Sequence, residues 1–342
     1  MTILATAWCG SGDRRRLAGF ALALTMALLV AATGQTSAQA PYPNRPIRLI
    51  VPYPPGAGTD FTGREMGAQF SKALGQPVVI DNRGGAAATI GHALAAKSPP
   101  DGYTLLLGTT GGLVSGPALM GSKIPYDPLK DFATIGLATH VPYALAVTAS
   151  LPANSVKELI GLARASPGKL NVASPGVGTP NHLGAAQLMT LTGIELVHVP
   201  YKGSSLAIND LIAGNVQMIV TGLLQLLPLH QAGRVRILGV GHPQRLKAYP
   251  DIPTIAETVP GYYNTGWWGI AAPAGTPQEI VAKLNAIMNQ ALATPEVLQR
   301  FEKNGLEVAT STPRGFHDMI VADLAMWKKL IKDAKISVDV LP

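Results

Sequence analysis

An α/β fold in two lobes is what this sequence of 342 residues predicts, on three observations. Short β-rich runs alternate with helix-compatible stretches from Ile47 onward, the pattern of strands joined by helical crossovers into largely parallel sheets. One glycine loop is written twice, as Pro55-Gly56-Ala57-Gly58-Thr59 and as Pro175-Gly176-Val177-Gly178-Thr179. The length exceeds the usual range of one domain, and 47% hydrophobic residues supply enough material for two cores.

The first residues stand apart from the fold. Arg14-Arg15-Arg16 precede an apolar run from Leu17 to Ala32 and small polar residues ending at Ala40, the layout of a secretory signal. The run is shorter than the ~20 apolar residues of a membrane span. Cleavage after Ala38, with Thr36 at the −3 position, is expected; cleavage after Ala40 would leave Pro41 at the new N-terminus. Sec and twin-arginine export both fit the arginines. The single cysteine, Cys9, leaves with this segment, so the mature chain has no disulfide, thiolate nucleophile or cysteine metal site. No later segment is long and apolar enough to span a bilayer, and a soluble, exported product is expected.

From there the elements follow in order. Leu49-Ile50-Val51 is a strand leading into the first loop. The helix behind Thr59 runs to about Leu74, with Phe61, Met66, Phe70 and Leu74 near helical spacing and Gly75 as its stop. Val78-Val79-Ile80 is the next strand, and Asp101-Gly102 turns into another over Tyr103 to Leu107. Ser155 to Ala165 reads as a helix capped by Asn154. The second unit then repeats the first: Leu170 to Ala173, the loop, a helix stopping at Gly193, and Leu196 to Val199. A helix over Ser205 to Ala213 precedes strands at Val216–Val220 and Val235–Val240. Pro277 fits the first position of a helix to Ala293, and Phe316 to Ala334 supplies the last one. The expected layout is a discontinuous first lobe, 41–142 plus 263–342, and a second lobe, 143–262. The apolar runs Tyr143–Val147 and Trp267–Ala271 are the expected crossings.

A helix N-terminus leaves N–H groups unpaired and carries partial positive charge, so a glycine turn running into it is an anion site. Two of them, one per lobe, point to a small anion held between the lobes. Thr59 and Thr179 fall at N-cap positions, and Pro180 fits the first turn. Asp60 is either a partner of the helix dipole turned away from the ligand or a hook for a ligand amino group. A side chain at Gly178 is expected to obstruct a ligand's approach to backbone N–H groups.

Competing chemistries fit less well. Neither loop has the lysine of a Walker motif, and a Rossmann fingerprint starting at Gly56 meets Phe61 where its third glycine belongs, although Asp81 imitates the ribose-binding acid. No cofactor is therefore expected. The seven histidines lack metal-ligand spacing. His182, in the first turn of its helix, either faces the cleft or is a surface or capping residue. Ser174 with His182 raises a hydrolase, but no G-x-S-x-G elbow exposes a serine. Trp267-Trp268 is a hinge-packing pair or a ligand wall. The formal net charge of +7 is spread along the chain without a basic run, which suits small anions and gives no nucleic-acid partner.

Ordered motifs carry a family resemblance. Tyr42-Pro43-Asn44-Arg45-Pro46-Ile47, the Pro-Gly-x-Gly-Thr-Asp loop, Gln76-Pro77-Val78-Val79 and Asp81-Asn82-Arg83 open the series. Pro100-Asp101-Gly102-Tyr103-Thr104-Leu105 and Tyr126-Asp127-Pro128-Leu129-Lys130-Asp131-Phe132 continue it. Gly176-Val177-Gly178-Thr179-Pro180-Asn181-His182-Leu183, His198-Val199-Pro200-Tyr201-Lys202-Gly203, Pro250-Asp251-Ile252-Pro253-Thr254 and Ala272-Pro273-Ala274-Gly275-Thr276-Pro277 complete it. Over the whole mature chain they resemble the Bug family, the periplasmic solute-binding receptors of tripartite tricarboxylate transporters.

The resemblance implies a type II periplasmic binding fold, a Venus flytrap whose two lobes are doubly wound, mainly parallel sheets. It implies a non-enzymatic, monomeric receptor that delivers a small organic carboxylate to the integral-membrane permease subunits. An exported hydrolase or a sensory ligand-binding module is the alternative. Carried over, the ligand's surroundings are Pro55, Gly56, Ala57, Gly58, Thr59 and Asp60 in the first loop. In the second they are Ser174, Gly176, Val177, Gly178, Thr179 and His182, with Tyr201, Lys202 and Thr221 nearby. Ala57 stands where glycine is common. Thr109 and Thr110, with Gly111 and Gly112, replace a loop richer in Asn and Ser that reaches the distal end of the ligand.

Overall fold

The computed structural model describes residues 42–56, 58–333 and 336. The secretory segment expected over 1–38 and the loop residue Ala57 lie outside them. Among the described residues no helix is long and apolar enough to cross a membrane.

The first glycine unit is β1 (Ile47–Val51), α1 (Gly58–Leu74) and β2 (Val78–Asn82), with the two strands parallel and Ile47 opposite Val78. Helix α1 returns over the sheet because Met66 and Phe70, one turn apart, are both buried. Then α2 (Thr89–Ala96) leads to β3 (Thr104–Thr109), parallel to β1 on its other side. A wide π-turn over Gly111–Ser115 and the short α3 (Gly116–Met120) precede β4 (Phe132–Thr148).

Helix α4 (Val156–Ala165) carries the chain to the second glycine unit: β5 (Asn171–Ser174), α5 (Pro180–Thr192) and β6 (Val197–Pro200), again with parallel strands. The expected cap Asn154 is displaced by one residue. Ser155 caps α4 by accepting from the Glu158 N–H, while the Glu158 carboxylate reaches back to the Asn154 N–H. Next come α6 (Ser204–Ala213), β7 (Met218–Gly222), α7 (Leu223–Gln231) and β8 (Val235–Val240). β9 (Thr265–Pro273), α8 (Gln278–Leu292), α9 (Pro295–Lys303), β10 (Glu307–Val308) and α10 (Pro313–Asp333) finish the chain. Pro277 sits at the N-cap of α8 rather than inside its first turn.

One strand belongs to both sheets. Residues 132–142 of β4 pair with β9, and residues 143–148 pair with β7 and β8. The partners change between Pro142 and Tyr143, at a proline that has no N–H to leave unpaired. β9 pairs with β3 and with the first part of β4 from Thr265 onward. The return crossing therefore comes before Thr265, earlier than the expected Trp267–Ala271. Both sheets are mixed rather than mainly parallel. Parallel pairs occur where β1 and β5 meet their neighbours, and every pair made by β4 or β9 is antiparallel. A strand that passes from one sheet to the other, and a strand that comes back beside it, must run in opposite senses.

Each sheet has its own core. Phe316, Ile320, Leu324, Trp327 and Ile331 form one stripe of α10 and meet Ile50, Leu106, Leu113 and Trp267. The second core joins Ala144 and Ala146 of β4 to Ile219, Leu223, Leu227 and Ile237. Phe316 is fully buried, with its ring edge-on to Trp267 at 5.1 Å between centroids. Phe316→Ala is expected to cost about 3–5 kcal/mol of stability in denaturant titration. A loss below about 1 kcal/mol would mean that α10 does not close the first core.

Candidate functional site

Both glycine loops leave the C-terminal ends of parallel strands, β1 and β5, where open α/β sheets place their ligands. They border a cavity of about 40 Å³ lined from both sheets. Gly58, Thr59, Thr109, Val141 and Trp268 come from one side, and Pro175, Asn181, Thr221, Leu224 and Gln225 from the other. None of the described lining residues is charged. Its polar groups are hydroxyls, amides and main chain.

The first loop is held from behind by Asp60. One carboxylate oxygen accepts from the Gly56 N–H at 3.1 Å and from Arg64 Nε at 2.9 Å. The other accepts from Asn82 Nδ2 at 3.0 Å, and Asn82 also donates to the Tyr53 carbonyl. Burial pushes the Asp60 carboxyl up, but the bonds from Arg64, Gly56 and Asn82 outweigh it and hold it below the usual carboxylate range. Asp60 is thus the dipole partner turned away from the cavity. Thr59 is not the N-cap, because α1 already includes Gly58. Its hydroxyl is buried, has no hydrogen-bond partner, and lines the cavity. A buried hydroxyl without a partner is costly unless something else satisfies it.

The second loop is held by neutral groups. Thr179 caps α5, accepting from the His182 N–H and donating to the Gly176 carbonyl at 2.7 Å. The Gly176 N–H donates to Ser174 Oγ, and the Gly178 N–H donates to His182 Nδ1 at 3.1 Å. Ser174 Oγ lies 2.6 Å from His198 Nε2, and the His182 and His198 rings stack at 4.4 Å. Two N–H groups of this loop are therefore already bonded. A side chain at Gly178 would meet Leu119 and Met120, and the φ of 82° there disfavours any side chain.

The expected site residues divide as follows. Gly58, Thr59, Thr109 and Thr221 line the cavity. Gly56 borders a shallow groove beside it with Gly58 and Leu224, and Pro55 is exposed in the same loop. Gly176, Val177, Tyr201 and Lys202 line a neighbouring pocket that shares Tyr53 and Pro175 with the cavity. Asp60, Ser174, Gly178, Thr179 and His182 are buried behind the loops and do not line it. Thr110 ties β3 to β9 through both main-chain groups of Trp267. The two tryptophans separate: Trp267 is core, with its indole N–H on Asp323, and Trp268 is a cavity wall. A methyl at Gly58 would come within 2.7 Å of the Trp268 ring, so only glycine lets that ring lie on the loop. Sequence reasoning missed Tyr53, Val141, Leu224 and Gln225. Asn181, two residues past the cap, belongs to the stretch Ser174 to His182 that the resemblance implies and lines the cavity.

The pair Ser174–His198 resembles the first contact of a nucleophile and its base. Yet His198 Nδ1 is buried with no partner, and Ser174 is fully buried off the cavity. Among the described residues no acid orients the imidazole, and the serine does not line the cavity.

The histidine brace has a pH consequence. Burial depresses His182 to about 3, with His198 adding to the effect, and depresses His198 to about 4. Burial also depresses His92, to about 4. Above the ordinary histidine value of 6.5 these groups are neutral in both states and stability is independent of them. Below it the unfolded chain takes up protons that the folded chain refuses, so stability falls as pH falls toward the folded values, by on the order of 3 kcal/mol per histidine. Denaturant titrations from pH 7.5 to 4.5 are expected to show a loss that begins near pH 6.5, above the carboxylate range, and is smaller in His198→Gln. A curve flat to pH 5 would contradict the buried neutral pair.

Comparison with known proteins agrees with this geometry. The model of the tripartite tricarboxylate transporter family receptor matches residues 63–336. Protein BugT of Bordetella pertussis (strain Tohama I) is 34% identical over 294 residues, 85% of this chain and 90% of that one. A structure of an R. palustris protein with adipate is 37% identical with a TM-score of 0.84, covering 86% of this chain and 99% of that chain. The periplasmic binding protein BugD is 31% identical with a TM-score of 0.82, at 86% and 99% coverage. The fold is the two-lobed α/β fold of the periplasmic binding proteins.

Proposed function

The chain belongs to the receptors of tripartite tricarboxylate transporters, the Bug family, and we propose that it captures a small organic carboxylate between its two lobes and hands it to the permease of such a transporter. In this reading residues 1–38 direct export and are removed, and the receptor works in the periplasm as a monomer without catalysing a reaction. Its lobes are 41–142 with 263–342, and 143–262. The relative of known structure with adipate supports the ligand class.

One observation carries the reading: a buried, unpartnered Thr59 hydroxyl stands in the first turn of the 17-residue helix α1, facing a cavity bounded by both sheets. The first-turn N–H groups of α1 and this hydroxyl together are donors for one carboxylate oxygen pair. Asn181, Thr221 and Gln225 close over it from the other lobe, with Trp268 and Leu224 as apolar walls. The second loop contributes a fixed wall at Pro175 more than donors, since the Gly176 and Gly178 N–H groups are already bonded.

Calorimetry of the mature protein with mono-, di- and tricarboxylates and amino acids tests the ligand class. At least one carboxylate is expected to bind, and a response to sugars or cations alone would overturn the reading. For the carboxylate that binds, Thr59→Val is expected to raise Kd roughly 10-fold or more, as a lost hydrogen bond to a charged group. An unchanged Kd would move the carboxylate away from α1.

A further inference from the structure

Ser115 lies outside the cavity and outside both glycine loops, yet it ties the turn after β3 to the second loop. We propose that the Ser115 hydroxyl is a latch between the lobes, setting how much of the receptor is closed without touching a ligand. The proposal rests on the reading that the lobes close around a carboxylate, and it adds a residue that tunes that closure.

Ser115 ends the π-turn that follows β3 of the first sheet, and α10 packs on this turn. Its side chain is fully buried. Oγ donates to the carbonyl of Gly178 at 2.8 Å, across 63 residues of sequence and from one sheet's loop to the other's. A serine in a helical turn ordinarily satisfies itself on a carbonyl three or four residues back. This one reaches the opposite lobe instead. Its acceptor is the glycine whose N–H is fixed by His182, so the latch engages a loop that is already rigid.

Apolar side chains lie beside the loop that accepts the bond. A methyl at Gly178 would sit 3.6 Å from both Leu119 and Met120, and one at Gly176 would sit 3.6 Å from Ala87. Closed, these contacts exclude water and strengthen the bond. Open, the hydroxyl and the carbonyl are both hydrated, so the latch contributes only the net difference between the two states. Because a ligand that needs the closed form binds in proportion to the closed fraction, weakening the latch weakens binding at a distance.

The test uses the mature chain, which has no cysteine of its own. Spin labels on Lys72→Cys in α1 and Asn209→Cys in α6, both exposed, report the distance between the lobes without ligand. Ser115→Ala is expected to lower the ratio of closed to open protein roughly 3- to 10-fold, seen as a longer mean distance in pulsed EPR. Ser98→Ala is the control, because its hydroxyl bonds the Leu94 carbonyl within one helix turn; its distribution is expected to match the wild type. Where the open form predominates, Kd for the carboxylate found by calorimetry rises by the same factor in Ser115→Ala. An unchanged distance distribution in a Ser115→Ala protein with a wild-type unfolding transition overturns the latch. If the wild type binds no carboxylate, the receptor reading fails, and the distance measurement still decides on Ser115.

Discussion

An ionised carboxylate leaves water only for donors that are already fixed in place, because a group that must reorganise to greet it gives back much of the gain. Fixing those donors is the constraint on which the rest of this structure depends. Each glycine loop is braced from behind by its own lobe. In the first, the Asp60 carboxylate gathers Gly56, Arg64 and Asn82. In the second, Ser174, His198 and His182 hold Gly176 and Gly178. The two braces use opposite chemistry. A charged brace is tolerable at the first loop because Arg64 is half exposed and supplies the countercharge. At the second loop the brace is deeply buried, so it is built from neutral imidazoles and a hydroxyl.

Each brace is confined to its own side and adds no bond between the lobes. Among the described residues only β4 runs unbroken from one sheet into the other, changing partners at Pro142, and the main chain around Gly241 and Asn264 bonds beside it. In the proposed closure, motion concentrated there would bring rigid loops together rather than deform them. The charge pattern fits as well. The Asp60 charge is turned from the cavity and paired, so in the proposed site the first-turn N–H groups of α1 and the Thr59 hydroxyl would meet an anion without opposition.

Much of this was legible in the residues, and what was not has a physical reason. The doubled loop, its flanking strands and the Thr179 cap follow from local glycine, proline and threonine chemistry, which needs no tertiary information. Thr59 looked equivalent to Thr179 by alignment of the two loops, yet α1 begins one residue earlier, and that shift turns a cap into a cavity hydroxyl. Asp60 was ambiguous because its partners, Arg64 and Asn82, are brought to it by the helix and by β2. His182 carried a motif but no clue to His198, since only the pairing of β5 with β6 stacks their rings. The walls Val141, Leu224 and Trp268 come from three separate elements and share no spacing. The mixed sheets were missed for a similar reason: β4 and β9 read as ordinary apolar runs, and their direction is set by the two crossings between lobes.

Small-angle X-ray scattering of the mature protein, alone and saturated with the carboxylate that calorimetry identifies, tests the central claim most directly. A ligand held by α1 on one side and by Asn181 and Thr221 on the other is predicted to favour the closed form, so the radius of gyration falls on binding. A carboxylate that binds with measurable heat while the radius of gyration stays unchanged would contradict a site shared between the lobes.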